Sequence, residues 1–210
     1  MKPIEFLTVG PLKPSDLIGK AGIVTRVMLG RISAGATDPI RTIFYGDPGT
    51  GKSAICRMMA LALLKHASGL RHMSAAQVTA DNVRDWLGEM RYRSDDWRVW
   101  WIEECDAVSP QVEVLMLQFL DEMPARCAAL FTSNVSLGNL SQRFQSRCQT
   151  HKIVPPKAED VAAMLHTRWP EIGRKVCHQI AEQNAGDVRA SLNDAQMAID
   201  VERYNKEESK

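Results

Sequence analysis

The segment Gly46-Asp47-Pro48-Gly49-Thr50-Gly51-Lys52-Ser53 fits the pattern G-x-x-x-x-G-K-[ST] without a gap, and it constrains this chain more than any other stretch. The pattern requires a strand ahead of it and a helix behind. Thr42-Ile43-Phe44-Tyr45 is a short, apolar, β-prone run, and Ile55, Met58, Met59, Ala62 and Leu63 recur at the spacing of one helix face. Glycines at a strand-to-helix turn let backbone N–H groups close around a phosphate, and the helix N-terminus adds its positive end. Lys52 is then expected to reach the β- and γ-phosphates, and the Ser53 hydroxyl to hold Mg²⁺. The segment implies binding of a nucleoside triphosphate.

A chain of 210 residues suffices for one sizeable domain, or for a main domain with a small one appended. Lys plus Arg (26) nearly cancels Asp plus Glu (25), so composition gives no reason to expect free-standing, non-specific nucleic-acid binding. Cys56, Cys105, Cys127, Cys148 and Cys177 are odd in number and form no C-x-x-C pair. They read as free thiols in a reducing cytoplasm, without a zinc site. No apolar run approaches the roughly 20 residues needed to span a bilayer, and the first residues lack the features of a secretory signal.

In chain order, prolines at 3, 11 and 14 suggest an extended lead-in ending in a turn at Gly19, followed by a helix over Ala21–Arg31. After the Lys52 helix comes a weak strand, Leu70–Ser74, and a helix capped by Thr79 or Asp81 and carrying Trp86, Leu87 and Met90. Arg98–Ile102 is an apolar strand delivering Glu103-Glu104-Cys105-Asp106. Ser109-Pro110 opens a helix with Val112, Leu115, Met116, Phe119 and Leu120 on one face. A strand over Ala128–Asn134, a helix over Leu140–Cys148 and a last strand at His151–Val154 follow, stopped by Pro155-Pro156. Beyond that point three helical segments, Ala158–Arg168, Ile172–Gln183 and Asp187–Arg203, have no strand between them. The expected fold class is α/β: a parallel-sheet core over residues 1–155, a small helical lid over 156–203 and a polar tail over 204–210.

In an open parallel sheet the functional groups lie at the carboxyl ends of strands. Glu103 is expected to organise Mg²⁺ there and Glu104 to polarise the attacking water. The competing reading is a solvated acidic turn. The Asn134 amide, at another strand end, can hydrogen-bond both the water and the γ-phosphate, or can serve merely as a turn residue.

The order of phosphate loop, Glu-Glu-Cys-Asp, Thr-Ser-Asn, Gln145-Ser146-Arg147-Cys148 and Gly186-Asp187-Val188-Arg189 resembles the AAA+ ATPases. Within them it looks most like the clamp-loader group, including the replication factor C small subunits. The resemblance spans about residues 10 to 200 by motif order. It implies that Arg147 reaches the ATP of a neighbouring subunit and that Arg189, in the lid, contacts the γ-phosphate of its own. Both roles suit a guanidinium, which is always charged and can bind phosphate oxygens in pairs. Arg143 competes with Arg147 for the first role, and both otherwise read as a solvated helix face. The resemblance also implies that Ile18, within the segment Pro11–Gly19, packs on the adenine. It further implies an oligomer of like or unlike AAA+ subunits that engages a sliding clamp and primed DNA in replication or repair.

This sequence departs from the family pattern in three respects. Glu103 stands where the acidic motif usually has Asp, which puts efficient hydrolysis in question. The chain ends soon after the lid, where family members continue into a helical collar. Trp97, Trp100 and Trp101 crowd the acidic-motif strand and read as core filling. Two other functions therefore stay open: a nucleotide-dependent interaction module with little hydrolysis, and another AAA+ DNA machine of the helicase-loader or branch-migration type.

Overall fold

The computed structural model describes residues 14–92, 94–134 and 137–208. The lead-in read over the first thirteen residues and the last two residues of the tail lie outside them. Five parallel strands, β1 (Ile40–Tyr45), β2 (Leu70–Ser74), β3 (Arg98–Glu103), β4 (Cys127–Ser133) and β5 (Gln149–Lys152), form one sheet in the order β2-β3-β4-β1-β5. Five helices accompany them: α1 (Gly19–Ser33), α2 (Lys52–Leu63), α3 (Ala80–Met90), α4 (Pro110–Glu122) and α5 (Gln142–Ser146). After β5 the described residues form only α6 (Ala158–Arg168), α7 (Arg174–Gln183) and α8 (Val188–Glu208).

The alternation of side chains along each strand sorts the core into two layers. Ile43, Trp100, Ile102, Ala129 and Phe131 face α3, α4 and α5, where they meet Val83, Trp86, Phe119 and Phe144. Phe44, Val99, Trp101, Ala128 and Leu130 face α1 and α2, against Val24, Met28, Ile55 and Met59. Both faces are covered, so the strands need no polar side, and β4 is buried along its whole length. Trp100 meets the Phe119 ring edge-on at 5.1 Å between centroids, and Trp86 tilts against the same ring at 5.6 Å. Each such burial contributes on the order of 1.5–3 kcal/mol, and the tryptophans fill the sheet as their position in the sequence suggests. A third cluster, with Val161, Leu165, Cys177, Ile180, Ala181, Ala195 and Ile199, is built from α6, α7 and α8.

Local signals set most boundaries. Thr79 caps α3 by accepting from the Asn82 N–H, and Ser109 caps α4 with Pro110 in its first turn. Four details differ from the sequence reading. In α2 the buried arc takes in Cys56 and Ala60, while Ala62 is exposed, because the helix packs against both the sheet and α1. The helix expected over Leu140–Cys148 is confined to Gln142–Ser146, with Ser141 as its cap. Strand β5 begins at Gln149, two residues early, since backbone pairing with β1 and not apolarity defines this edge strand. Helix α8 continues through Glu208, so the polar tail read from Tyr204 begins as helix; no Gly or Pro interrupts that run. Among the described residues no helix is long and apolar enough to cross a membrane.

Candidate functional site

Because the strands are parallel, their carboxyl ends share one edge of the sheet. The order β3-β4-β1 sets three of those ends side by side: Glu103-Glu104 after β3, Asn134 after β4 and the phosphate loop after β1. In the loop, Gly46, Gly49 and Gly51 have φ of 136°, 75° and 98°, a region that side-chain-bearing residues rarely adopt. A Cβ on Gly46 would lie 2.2 Å from the Ile153 carbonyl oxygen, so the loop can leave the sheet here only as glycine. Thr50 Oγ1 donates to the Asp47 carbonyl at 2.8 Å, which tightens the turn. Lys52 Nζ donates to the Gly46 and Asp47 carbonyls at 2.8 and 2.7 Å, which holds the ammonium at the centre of the loop. Burial pushes the Lys52 ammonium below the ordinary lysine value, Arg189 adds to that, and Asp47 leads the groups that oppose it.

The acidic end is equally ordered. Glu104 has φ 55° and ψ 48°, a left-handed conformation that costs a non-glycine residue on the order of 1–3 kcal/mol and that recurs at active sites. Its N–H donates to Thr132 Oγ1 at 3.3 Å, and its Oε1 accepts from Asn134 Nδ2 at 3.2 Å. Glu103 Oε2 lies 3.7 Å from His72 Nε2, and the His72 ring stacks on Trp101 at 3.9 Å between centroids. The nearby His72 ring first, then the Ser53 hydroxyl, with Arg189 adding to both, hold the Glu103 carboxyl below its ordinary range against partial burial. A carboxylate ionised at neutral pH beside the Ser53 hydroxyl is an oxygen donor set suited to a hard cation such as Mg²⁺. Among the described residues no group of three or more His, Cys, Asp or Glu side chains converges, so a cation here would take its other oxygens from phosphate and water.

These groups line a cleft of about 590 Å³, a size that accommodates a nucleotide. Ile18, Pro48 to Ser53, Glu103, Glu104, Asn134 and Arg189 all face it, while Gly46 and Asp47 form the base of the loop. Ile18 also packs against the cluster of α6 to α8. The start of α8 touches the phosphate loop directly, the Val188 N–H donating to the Gly49 carbonyl at 3.2 Å. Arg147 and Arg143 do not line the cleft. Arg147 stands at the end of α5 with its guanidinium paired to Asp121.

The sequence reading missed several participants. Arg57 lines the cleft four residues beyond Ser53 on α2, and helical spacing alone signals its place. His72, Thr132, Met164 and Arg168 carry no such local signal. His72 reaches Glu103 only because β2 pairs with β3, with Ser74 opposite Glu103.

The family model of the AAA proteins, the ATPase family associated with various cellular activities, matches residues 42–156, more than half of the chain. The chain belongs to this family, and it is an ATPase of the AAA type by sequence, fold and phosphate loop. Among curated proteins it is similar to Replication factor C subunit 4 of Encephalitozoon cuniculi (strain GB-M1), 22% identical over 201 residues. That alignment takes in 92% of this chain and 65% of the relative, so the chain spans about two thirds of the relative's length. The fold is similar to that of a single-substitution form of Thermotoga maritima RuvB, with a TM-score of 0.76 at 17% identity, over 96% of this chain and 68% of that one. A DNA polymerase III gamma subunit-related protein from Thermotoga maritima aligns with a TM-score of 0.60 at 13% identity, over 85% of this chain and 58% of that one. The similarity to Replication factor C subunit 4 thus extends over most of the chain.

Proposed function

We propose that the chain binds ATP with Mg²⁺ and hydrolyses it as one subunit of a clamp-loader-like assembly in DNA replication or repair, each ATP site being completed by Arg147 of a neighbouring subunit. The observation that carries this reading is the separation of the two arginines. Arg189 lines the cleft of its own chain, whereas Arg147 lies outside it, at the surface of the core. An arginine finger needs such a position to act on another subunit's ATP.

Within the chain, the loop from Gly46 to Ser53 holds the phosphates, and Ile18 packs on the base. Mg²⁺, held by Ser53 and Glu103, would offset charge on the phosphates. Glu104 orients a water against the γ-phosphorus and takes its proton as the bond to the β–γ bridging oxygen breaks. Asn134 steers that carboxylate, and Arg189 neutralises charge on the transferred group. A finger arginine adds about 10³–10⁵ in rate in GTPases, a neighbouring class.

The test is ATP turnover per subunit as protein concentration rises over several decades. A specific rate that climbs and saturates, and that Arg147→Ala abolishes, supports composite sites between copies. A flat rate refutes self-made sites and directs the search to a partner subunit. Stimulation by a sliding clamp with primed DNA supports the clamp-loader-like role, whereas stimulation by a helicase or a four-way junction supports another AAA+ machine. A nucleotide-dependent interaction module is the second reading, favoured by Glu103 in the Asp position with its carboxylate drawn toward His72. Tight ATP binding with negligible turnover, even with partners present, would establish it.

A further inference from the structure

The surroundings of Arg147 bear on how such a finger is presented. Arg147 Nε donates to Asp121 Oδ1 and Nη2 to Asp121 Oδ2, both at 2.8 Å, a side-on, two-pronged pair. Nη1 donates to the Arg143 carbonyl, also at 2.8 Å. A guanidinium has five N–H donors, so these three contacts leave two, the number a paired contact to phosphate oxygens uses.

Both partners stand on fixed ground. Asp121 follows Phe119 and Leu120, fully buried in the core, and Arg147 follows Phe144, equally buried. Asp121 lies in the last turn of α4, where the helix carbonyls already concentrate negative charge, so a cation is doubly favoured there. The pair is largely open to solvent, with side-chain exposures of 30% for Arg147 and 54% for Asp121, and so contributes little to stability. What it fixes is orientation.

We propose that Asp121 is a positioning residue for Arg147: its two oxygens set the guanidinium plane at the surface of the chain and leave two donors directed to the ATP of a neighbouring copy. This rests on the reading of Arg147 as a finger acting between copies. Ordering the side chain before assembly removes a cost that would otherwise fall on the transition state, since small misplacements of a catalytic group lower rates steeply.

The test uses the full chain, with ATP turnover against protein concentration and, separately, affinity for a fluorescent ATP analogue at high dilution. Asp121→Ala is expected to keep the affinity within about twofold while lowering the saturating turnover about 10–100-fold, the scale of a displaced catalytic group. Asp121→Glu, which keeps both oxygens, should recover part of the loss. In the Arg147→Ala background, Asp121→Ala should change nothing further, an outcome that a general structural role would not give. An Asp121→Ala rate at or above that of the unaltered chain, with Arg147→Ala still abolishing the climb, overturns the positioning role alone. Equal losses from Asp121→Ala with and without Arg147 overturn it as well. A flat rate in the unaltered chain, or a climb that survives Arg147→Ala, overturns the reading on which it rests.

Discussion

Replacing Gly49 by alanine probes the joint between the phosphate loop and α8. Gly49 sits at φ +75°, and an L-residue there gives up about 1–2 kcal/mol in backbone strain. The added Cβ would also stand 1.9 Å from Asp187 Oδ1 and 2.2 Å from its Cγ, well inside van der Waals contact. That carboxylate is not at liberty to swing away. Its Oδ1 accepts from the Ala190 N–H at 2.9 Å at the start of α8, while the Val188 N–H is bonded to the Gly49 carbonyl. Relief therefore requires either breaking the helix cap, about 0.5–2 kcal/mol, or undocking α8 with loss of the backbone bond, about 0.5–1.5 kcal/mol. Together the terms give a loss of about 1.5–3.5 kcal/mol in unfolding free energy, measured by urea denaturation. In an Asp187→Ala background only the backbone strain remains, so the same substitution should cost on the order of 1 kcal/mol less. Gly30, helical and with nothing within 4 Å of an added Cβ, is the control: Gly30→Ala should stabilise by about 0.5–1 kcal/mol. If Gly49→Ala costs the same with and without Asp187, the contact plays no part and the reasoning fails.

Two more outcomes are expected. Glu104→Gln retains an oxygen for Asn134 but cannot take a proton, so ATP affinity should stay within a few-fold while turnover falls about 10²–10⁴-fold; turnover within tenfold of the original would refute the assignment of Glu104. The five free thiols should alkylate slowly in the folded chain at pH 8.5 and quickly in urea. Burial pushes Cys127 up to about 11, and pushes even the partly buried Cys148 up to about 12, which leaves only about three ten-thousandths of the latter as thiolate at that pH. A single fast-reacting thiol in the folded chain would contradict this.

The phosphate loop was legible because its chemistry is backbone chemistry. Glycine alone takes the φ values at Gly46, Gly49 and Gly51 without strain, so the structural demand is written directly in residue type. The core faces of α3 and α4 were legible for a similar reason, each helix burying one stripe. In α2, packed on two sides, the arc widened to Cys56 and Ala60, and a single-stripe reading misplaced Ala62. Strand order is a different kind of fact. Nothing local in Leu70–Ser74 says that it flanks β3, so the approach of His72 to Glu103 could not be read. The Asp121–Arg147 pair was hidden likewise, since it joins two helices, α4 and α5, that meet only through the folded core.

The sheet order also bears on how the chain acquires its site as it is made. Strand β1 is the first to emerge, yet its neighbours are the last two: Ile40 pairs with Ala128, and Thr42 with Gln149. Until those segments exist, an apolar strand with two open edges has no partner in the chain. The phosphate loop, whose exit from the sheet rests on Ser133 and Ile153, cannot take shape before them. Such late, long-range closure is slow and leaves the nascent strand open to mispairing. A fragment ending before Ile153 should keep the motif Gly46–Ser53 in its sequence and lack the cradle that makes the motif work.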